Sequence, residues 1–154
     1  MNVTDRAALL ARYAEGPQAL EDAVAAVPQD ALDRSVIAGE WTPRQIVHHV
    51  ADSETMSYIR LRRLQAEDHP VIQGYDEAEF ARRLHYDRPI EAALAVVRAV
   101  RVASAELLAT LSEDEWAREG THSDSGRYTM DDWLRIYVAH CHDHADQIRR
   151  VAGA

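Results

Sequence analysis

Residues 129–151 read TMDDWLRIYVAHCHDHADQIRRV, and this stretch decides the fold. Thr129 followed by Asp132 has the spacing of a capping box, the signal that opens a helix. Trp133, Ile136, Tyr137, His140, His144, Ile148 and Val151 then recur at three- and four-residue steps, the period of a helix with one buried side. The stripe carries aromatic and aliphatic residues at its ends and two imidazoles in its middle. His140 and His144 are therefore expected to face inward, one above the other. His142 points away from them and is expected at the surface or at a contact with another subunit.

Outward from this helix the same period returns twice. Thr42, Pro43 and Gln45 make a clean helix start before Ile46, Val47, Val50, Tyr58 and Leu61, predicting a helix to about Leu64. Ile90, Leu94, Val97, Val100, Leu107, Leu108 and Leu111 predict a long helix capped by Asp87, with Pro89 in its first turn, ending near Ser112. The first helix starts near Thr4 or Asp5 and carries Leu9, Leu10, Tyr13, Leu20, Val24 and Val27. Gly16-Pro17 is expected to kink or split it, because proline lacks the backbone donor. A short turn is expected around Ala31 to Asp33, a loop from His69 to Tyr75, and a short helical piece from Glu77 to Leu84. The turn cluster Ser123-Asp124-Ser125-Gly126 predicts a small hairpin. Four main helices in 154 residues predict one all-α domain, a four-helix bundle over residues 1–154.

Charge excludes several functions. The chain holds 17 basic residues, every one Arg, against 26 acidic ones, for a formal net charge of −9. Binding to phosphate backbones or to an anionic membrane surface needs the opposite balance, so neither nucleic acid nor membrane is an expected partner. The most apolar stretch, Ala92 to Ala109, is interrupted by Arg98, Arg101 and Glu106, which excludes a membrane span. With no visible secretory signal and Cys141 as the single cysteine, the expected location is the cytoplasm.

Eight histidines are a surplus, and five of them lie in two strings, VHHVADSE and VAHCHDHADQ. Two inward imidazoles one helical turn apart can converge on one metal ion at ~2.0–2.1 Å each. They can equally be buried as hydrogen-bonded core residues. A third ligand must come from another helix. His48 and His49 are both candidates, with His49 somewhat nearer the apolar stripe, and Asp52 and Glu54 are carboxylate alternatives. Asp143 is a candidate for holding a ligand's tautomer. Cys141, turned about 100° from His140, reads as a small packing residue rather than a ligand. Tyr58, Arg60 and Tyr75 are candidate supporting residues, Tyr75 and Asp76 read equally as loop anchors, and no catalytic residue is nominated. A site with three histidines leaves a position open for Lewis-acid work, since a bound water or thiol then loses its proton more easily.

Three strings, GEWTPRQIVHHVADSE, PVIQGYDEAEF and MDDWLRIYVAHCHDHADQIRRV, resemble the DinB-like superfamily, in particular its YfiT-like branch of candidate metal-dependent hydrolases. The resemblance runs from about Tyr13 to Val151. It implies an up-and-down four-helix bundle with a crossover, often dimeric, holding one divalent metal, zinc or nickel. It implies His49 as the ligand from the His-His pair, joined by His140 and His144. The implied activities are hydrolysis or thiol-dependent S-transfer, so the expected partners are a small-molecule electrophile or thiol and a second copy of the chain. The alternative is a non-catalytic stress-response bundle with a structural metal.

Overall fold

The computed structural model describes residues 1–153. Four long helices carry the architecture: α1 (Val3–Ala25), α2 (Pro43–Ala66), α4 (Glu91–Leu108) and α6 (Met130–Ala152). Between them lie a 3-10 turn (Gln29–Ala31), the short helices α3 (Glu77–Arg83) and α5 (Glu113–Trp116), and the strands β1 (Val71–Ile72), β2 (Glu119–His122) and β3 (Gly126–Thr129). No helix among the described residues is long and apolar enough to cross a membrane.

α1 packs against α4 and α6, and so does α2. The core falls into two clusters that fix the helix directions. One joins Leu20, Ala23, Ile46, Val50, Val97 and Ile148. The other joins Tyr13, Leu61, Leu64, Leu108, Trp133 and Tyr137. The amino-terminal halves of α2 and α4 share the first cluster with the carboxy-terminal halves of α1 and α6. Thus α1 runs parallel to α6, α2 runs parallel to α4, and the two pairs oppose each other. A parallel α2–α4 pair needs a connection that travels back along the bundle, and residues 67–90 supply this crossover.

The helix starts follow local chemistry. The Thr42 hydroxyl accepts from the Gln45 backbone N–H at 3.3 Å while the Gln45 side chain accepts from the Thr42 N–H at 3.0 Å. Thr129 and Asp132 repeat the arrangement at α6. Replacing Thr42 with alanine removes one half of a box and is expected to cost about 1 kcal/mol in urea unfolding. A loss below about 0.3 kcal/mol would mean that the cap is idle.

Several boundaries differ from the sequence expectations. α4 begins at Glu91 behind Ile90, without a side-chain cap, so Asp87 caps nothing there. Arg88 precedes Pro89 and is thereby disfavoured in the helical region, which delays the start. The helix ends at Leu108, and Ser112 instead opens α5 through a capping box with Glu115. The hairpin forms as β2 and β3, antiparallel, and β1 joins it in parallel from the segment expected to be a loop. A two-residue strand is too short to show a period, and its partner lies about fifty residues away in the chain.

The largest difference concerns Gly16-Pro17, because α1 continues through both. Pro17 lacks an N–H, so the carbonyl four residues earlier, on Tyr13, has no partner from it within the helix. Arg101 Nη1 donates to that carbonyl at 2.9 Å. Gly16 leaves room for this approach, since a Cβ there would lie 3.1 Å from Arg101 Nη1 and 3.0 Å from the Cys141 Cβ. The pair that reads as a breaker instead shapes a socket for a buried guanidinium.

Candidate metal centre

Between the two apolar clusters lies a polar layer. Arg101 on α4 and Glu54 on α2 are both buried and make a bidentate pair, Nε to Oε2 at 2.6 Å and Nη2 to Oε1 at 2.7 Å. Arg101 also donates to the Tyr137 carbonyl at 2.6 Å and stacks over the Tyr13 ring at 4.0 Å. Burial pushes the Glu54 carboxyl up. The Arg101 charge and the hydrogen bonds from His140 and Arg101 outweigh it, so its pKa stays below the usual value.

Glu54 passes this order to the histidines. Its Oε1 accepts from His140 Nδ1 at 2.8 Å. An ionised carboxylate only accepts, so His140 carries its proton on Nδ1 and presents a lone pair at Nε2. His144 Nδ1 lies 2.8 Å from Gln147 Oε1 and is fixed in the same tautomer. His49 comes from α2 with its Nε2 at 3.2 Å from His144 Nε2. One ring nitrogen from each of the three histidines falls within 4.8 Å of the other two.

These residues fit a divalent ion. Two nitrogens bound tetrahedrally at ~2.0–2.1 Å stand ~3.3 Å apart, close to the observed approach of His49 and His144. The three rings pack edge to face, with centroids 4.7 Å apart for His49–His144 and for His140–His144. Burial and then the neighbouring imidazoles hold His49 down at about 3 and His144 at about 4, so both are neutral at pH 7, as ligation requires. His49 Nδ1 is buried without a hydrogen-bond partner, and the Trp41 ring lies 4.9 Å from the imidazole.

The same shifts set a pH dependence for the metal-free protein. The free ring titrates at 6.5 and the folded groups near 3 and 4. Between these values the unfolded chain takes up protons that the folded chain refuses, so stability falls as pH drops through this window. The Tm of chelator-treated protein is expected to fall between about pH 7 and about pH 5, and to fall less in a His49→Gln, His144→Gln double variant. Equal slopes would contradict the buried placement of the two rings.

The cluster opens on a cavity of about 350 Å³, walled by Trp41, Tyr75, Ile136, Tyr137 and the hairpin residues His122 and Asp124. A profile of the DinB superfamily matches residues 12–148. The chain belongs to that superfamily. It is 36% identical over 132 residues to a candidate metal-dependent hydrolase of Oceanobacillus iheyensis, covering 86% of this chain and 77% of the relative. It is 33% identical over 141 residues to YfiT of Bacillus subtilis, which carries the same description, with 90% and 79% covered. The solved YfiT structure, described as having an unusual four-helix bundle topology, superposes with a TM-score of 0.92 at 29% identity over 99% of this chain and 89% of that one. A mycothiol-dependent maleylpyruvate isomerase shares the fold, with a TM-score of 0.75 at 14% identity over 96% of this chain and 61% of that one.

The structure sorts the sequence candidates. It brings His49, His140 and His144 together and sends His48 elsewhere, with its Nε2 3.0 Å from the Arg88 carbonyl. Asp52 accepts from the Tyr86 hydroxyl at 2.6 Å, away from the cluster. Glu54 is the tautomer-holding group, and the expectation for Asp143 fails because that residue is exposed. Cys141 is buried, 3.7 Å from Glu54, with burial raising its thiol pKa. His142 is half-buried, its Nε2 3.1 Å from the Arg12 carbonyl. Tyr58 stacks beneath Arg62 and does not line the cavity, whereas Arg60 and Tyr75 do. Asp76 caps α3. Sequence reasoning missed Arg101. Its signal was its place on the inward stripe of α4, at four- and three-residue steps between Val97, Ser104 and Leu108.

Proposed function

We propose that this chain binds one divalent ion, zinc or nickel, through His49, His140 and His144. It is then a metal-dependent enzyme that activates water or a low-molecular-weight thiol against a small electrophilic or hydrolysable substrate. One observation carries this reading: three imidazoles converge at the edge of a cavity, with one ring nitrogen from each within 4.8 Å of the other two. A structural zinc site closes with four protein ligands, whereas a catalytic one keeps a position free. The family relatives described as candidate metal-dependent hydrolases support the same reading.

A divalent ion supplies Lewis acidity there and lowers the pKa of a coordinated water or thiol. The protein's own residues do the rest. Glu54, fixed by Arg101, holds the His140 lone pair toward the site, and Gln147 does the same for His144. Trp41 packs on His49, and Trp41 and Ile136 form the apolar part of the cavity wall, which limits water around the reacting group.

The test loads metal-free protein with zinc or nickel, then assays ester hydrolysis and conjugation of a generic electrophile by several thiols. The expected result is one ion per chain and turnover of one substrate class, abolished by a chelator and restored by metal. Stoichiometric metal binding without any turnover would favour a structural metal instead.

A further inference from the structure

The cavity beside the histidines contains one arginine, and that arginine has no carboxylate partner. Arg60 lies 11 residues after His49 on α2. At ~100° per residue this returns it to within ~20° of the same helix face, about 16 Å further along the axis. Its side chain leans back toward the helix start, as helical side chains do, and it lines the same cavity as His49, Ser53 and His140. Nη1 donates to the Tyr137 hydroxyl at 2.9 Å and Nη2 to the Gln73 carbonyl at 3.1 Å. These two contacts hold the fork in place and use two of its five N–H groups. Among the described residues no carboxylate pairs with it, although acidic residues outnumber basic ones in this chain and many of its arginines form ion pairs.

We propose that Arg60 is the substrate-anchoring residue of this cavity and that it selects small molecules bearing a carboxylate at the end remote from the reacting group. A guanidinium fork fixed by two neutral acceptors is prearranged for a bidentate carboxylate. The neighbouring polar groups suit that role. The Tyr75 hydroxyl oxygen, on the cavity wall, is buried without a partner. Behind the wall the Tyr128 hydroxyl is also buried without one, and its phenol lies within the field of Arg60. The Arg60 charge also lowers the pKa of His122, after burial, keeping that ring neutral beside an incoming anion. Glu77 and Asp124, both exposed, stand at the cavity rim. One cation flanked by two rim carboxylates matches a singly charged group better than a phosphate dianion. A cavity of about 350 Å³ admits a small elongated molecule that reaches from Arg60 to the histidines.

This inference takes the cavity of the proposed metal centre as the substrate site, so its test has two arms. In the first, zinc-loaded protein is titrated calorimetrically with a mercaptohexanoate bearing a terminal thiol and with the matching mercaptohexanol. Wild type is expected to prefer the carboxylate about tenfold or more, the ratio a charged hydrogen-bonded pair supplies. Arg60→Gln is expected to bind both within about twofold, and Arg60→Lys to retain part of the preference through charge alone. Zinc affinity and the circular dichroism spectrum of each variant are measured alongside and are expected to stay unchanged. In the second arm, chelator-treated protein is titrated with plain hexanoate and hexanol. The same carboxylate preference is expected in wild type and not in Arg60→Gln, whether or not the protein holds zinc. Equal binding of acid and alcohol by wild type in both arms would overturn the assignment while leaving the metal reading intact. A preference undiminished in Arg60→Gln would also overturn it.

Discussion

Arg101→Met is expected to cost about 3–5 kcal/mol of stability, the usual loss when one partner of a buried ion pair is removed. For a domain of this size that corresponds to a fall in Tm of roughly 6–20 °C. The cause is specific. Arg101 donates to both oxygens of Glu54 and to the carbonyls of Tyr13 and Tyr137, so its removal leaves a buried carboxylate without its cation and the Tyr13 carbonyl, already short of a helical donor at Pro17, without a partner. Pairing the change with Glu54→Leu removes the stranded charge and is expected to recover much of the loss, because the buried pair, not either residue alone, is the unit. Recovery remains partial, since Glu54 also holds His140. A single variant that loses less than about 1 kcal/mol would show that the polar layer is not buried as described.

The second large effect concerns the metal. His140→Ala and His144→Ala are each expected to weaken zinc binding by more than about 100-fold, exceeding the 10–100-fold typical of losing a group that merely orients a ligand. His48→Ala is expected to leave zinc affinity unchanged, since His48 turns to the Arg88 carbonyl and stacks on Tyr86. Glu54→Gln lies between these cases. It keeps an acceptor for His140 but loses the charge, and a reduction of about 10–100-fold is expected. Competition with a chromogenic chelator separates the four variants. Equal losses in His48→Ala and His140→Ala would argue against the assigned ligand set.

Much of this was legible in the sequence because it rests on local periodicity. The α6 stripe, the Thr42 and Thr129 capping boxes and the hairpin follow from residues a few positions apart. The inward pair His140 and His144 follows from helical spacing as well. His49 against His48 was a harder choice, since adjacent residues differ by ~100° around the helix and only the neighbouring elements decide which one faces α6. What the sequence hid depends on contacts between distant segments. Arg101 reads as an interruption of an apolar run, and its meaning appears only when Glu54, Tyr13 and Tyr137 close around it. Gly16-Pro17 reads as a breaker for the same reason, because the acceptor it leaves free is claimed by a side chain 88 positions from Tyr13. Asp143 adjoins the ligands in sequence, but its side chain is exposed, and the carboxylate that orients His140 is Glu54, from another helix.

The assigned ligand set is tested by where the metal sits. Crystals of zinc-loaded protein, measured on both sides of the zinc absorption edge, locate the ion directly through anomalous differences. The predicted result is one peak per chain, within ~2.0–2.1 Å of ring nitrogens of His49, His140 and His144, with Glu54 still hydrogen-bonded to His140 Nδ1 rather than bound to the ion. A peak on Glu54 and Cys141, or none at the three histidines under saturating zinc, would contradict it.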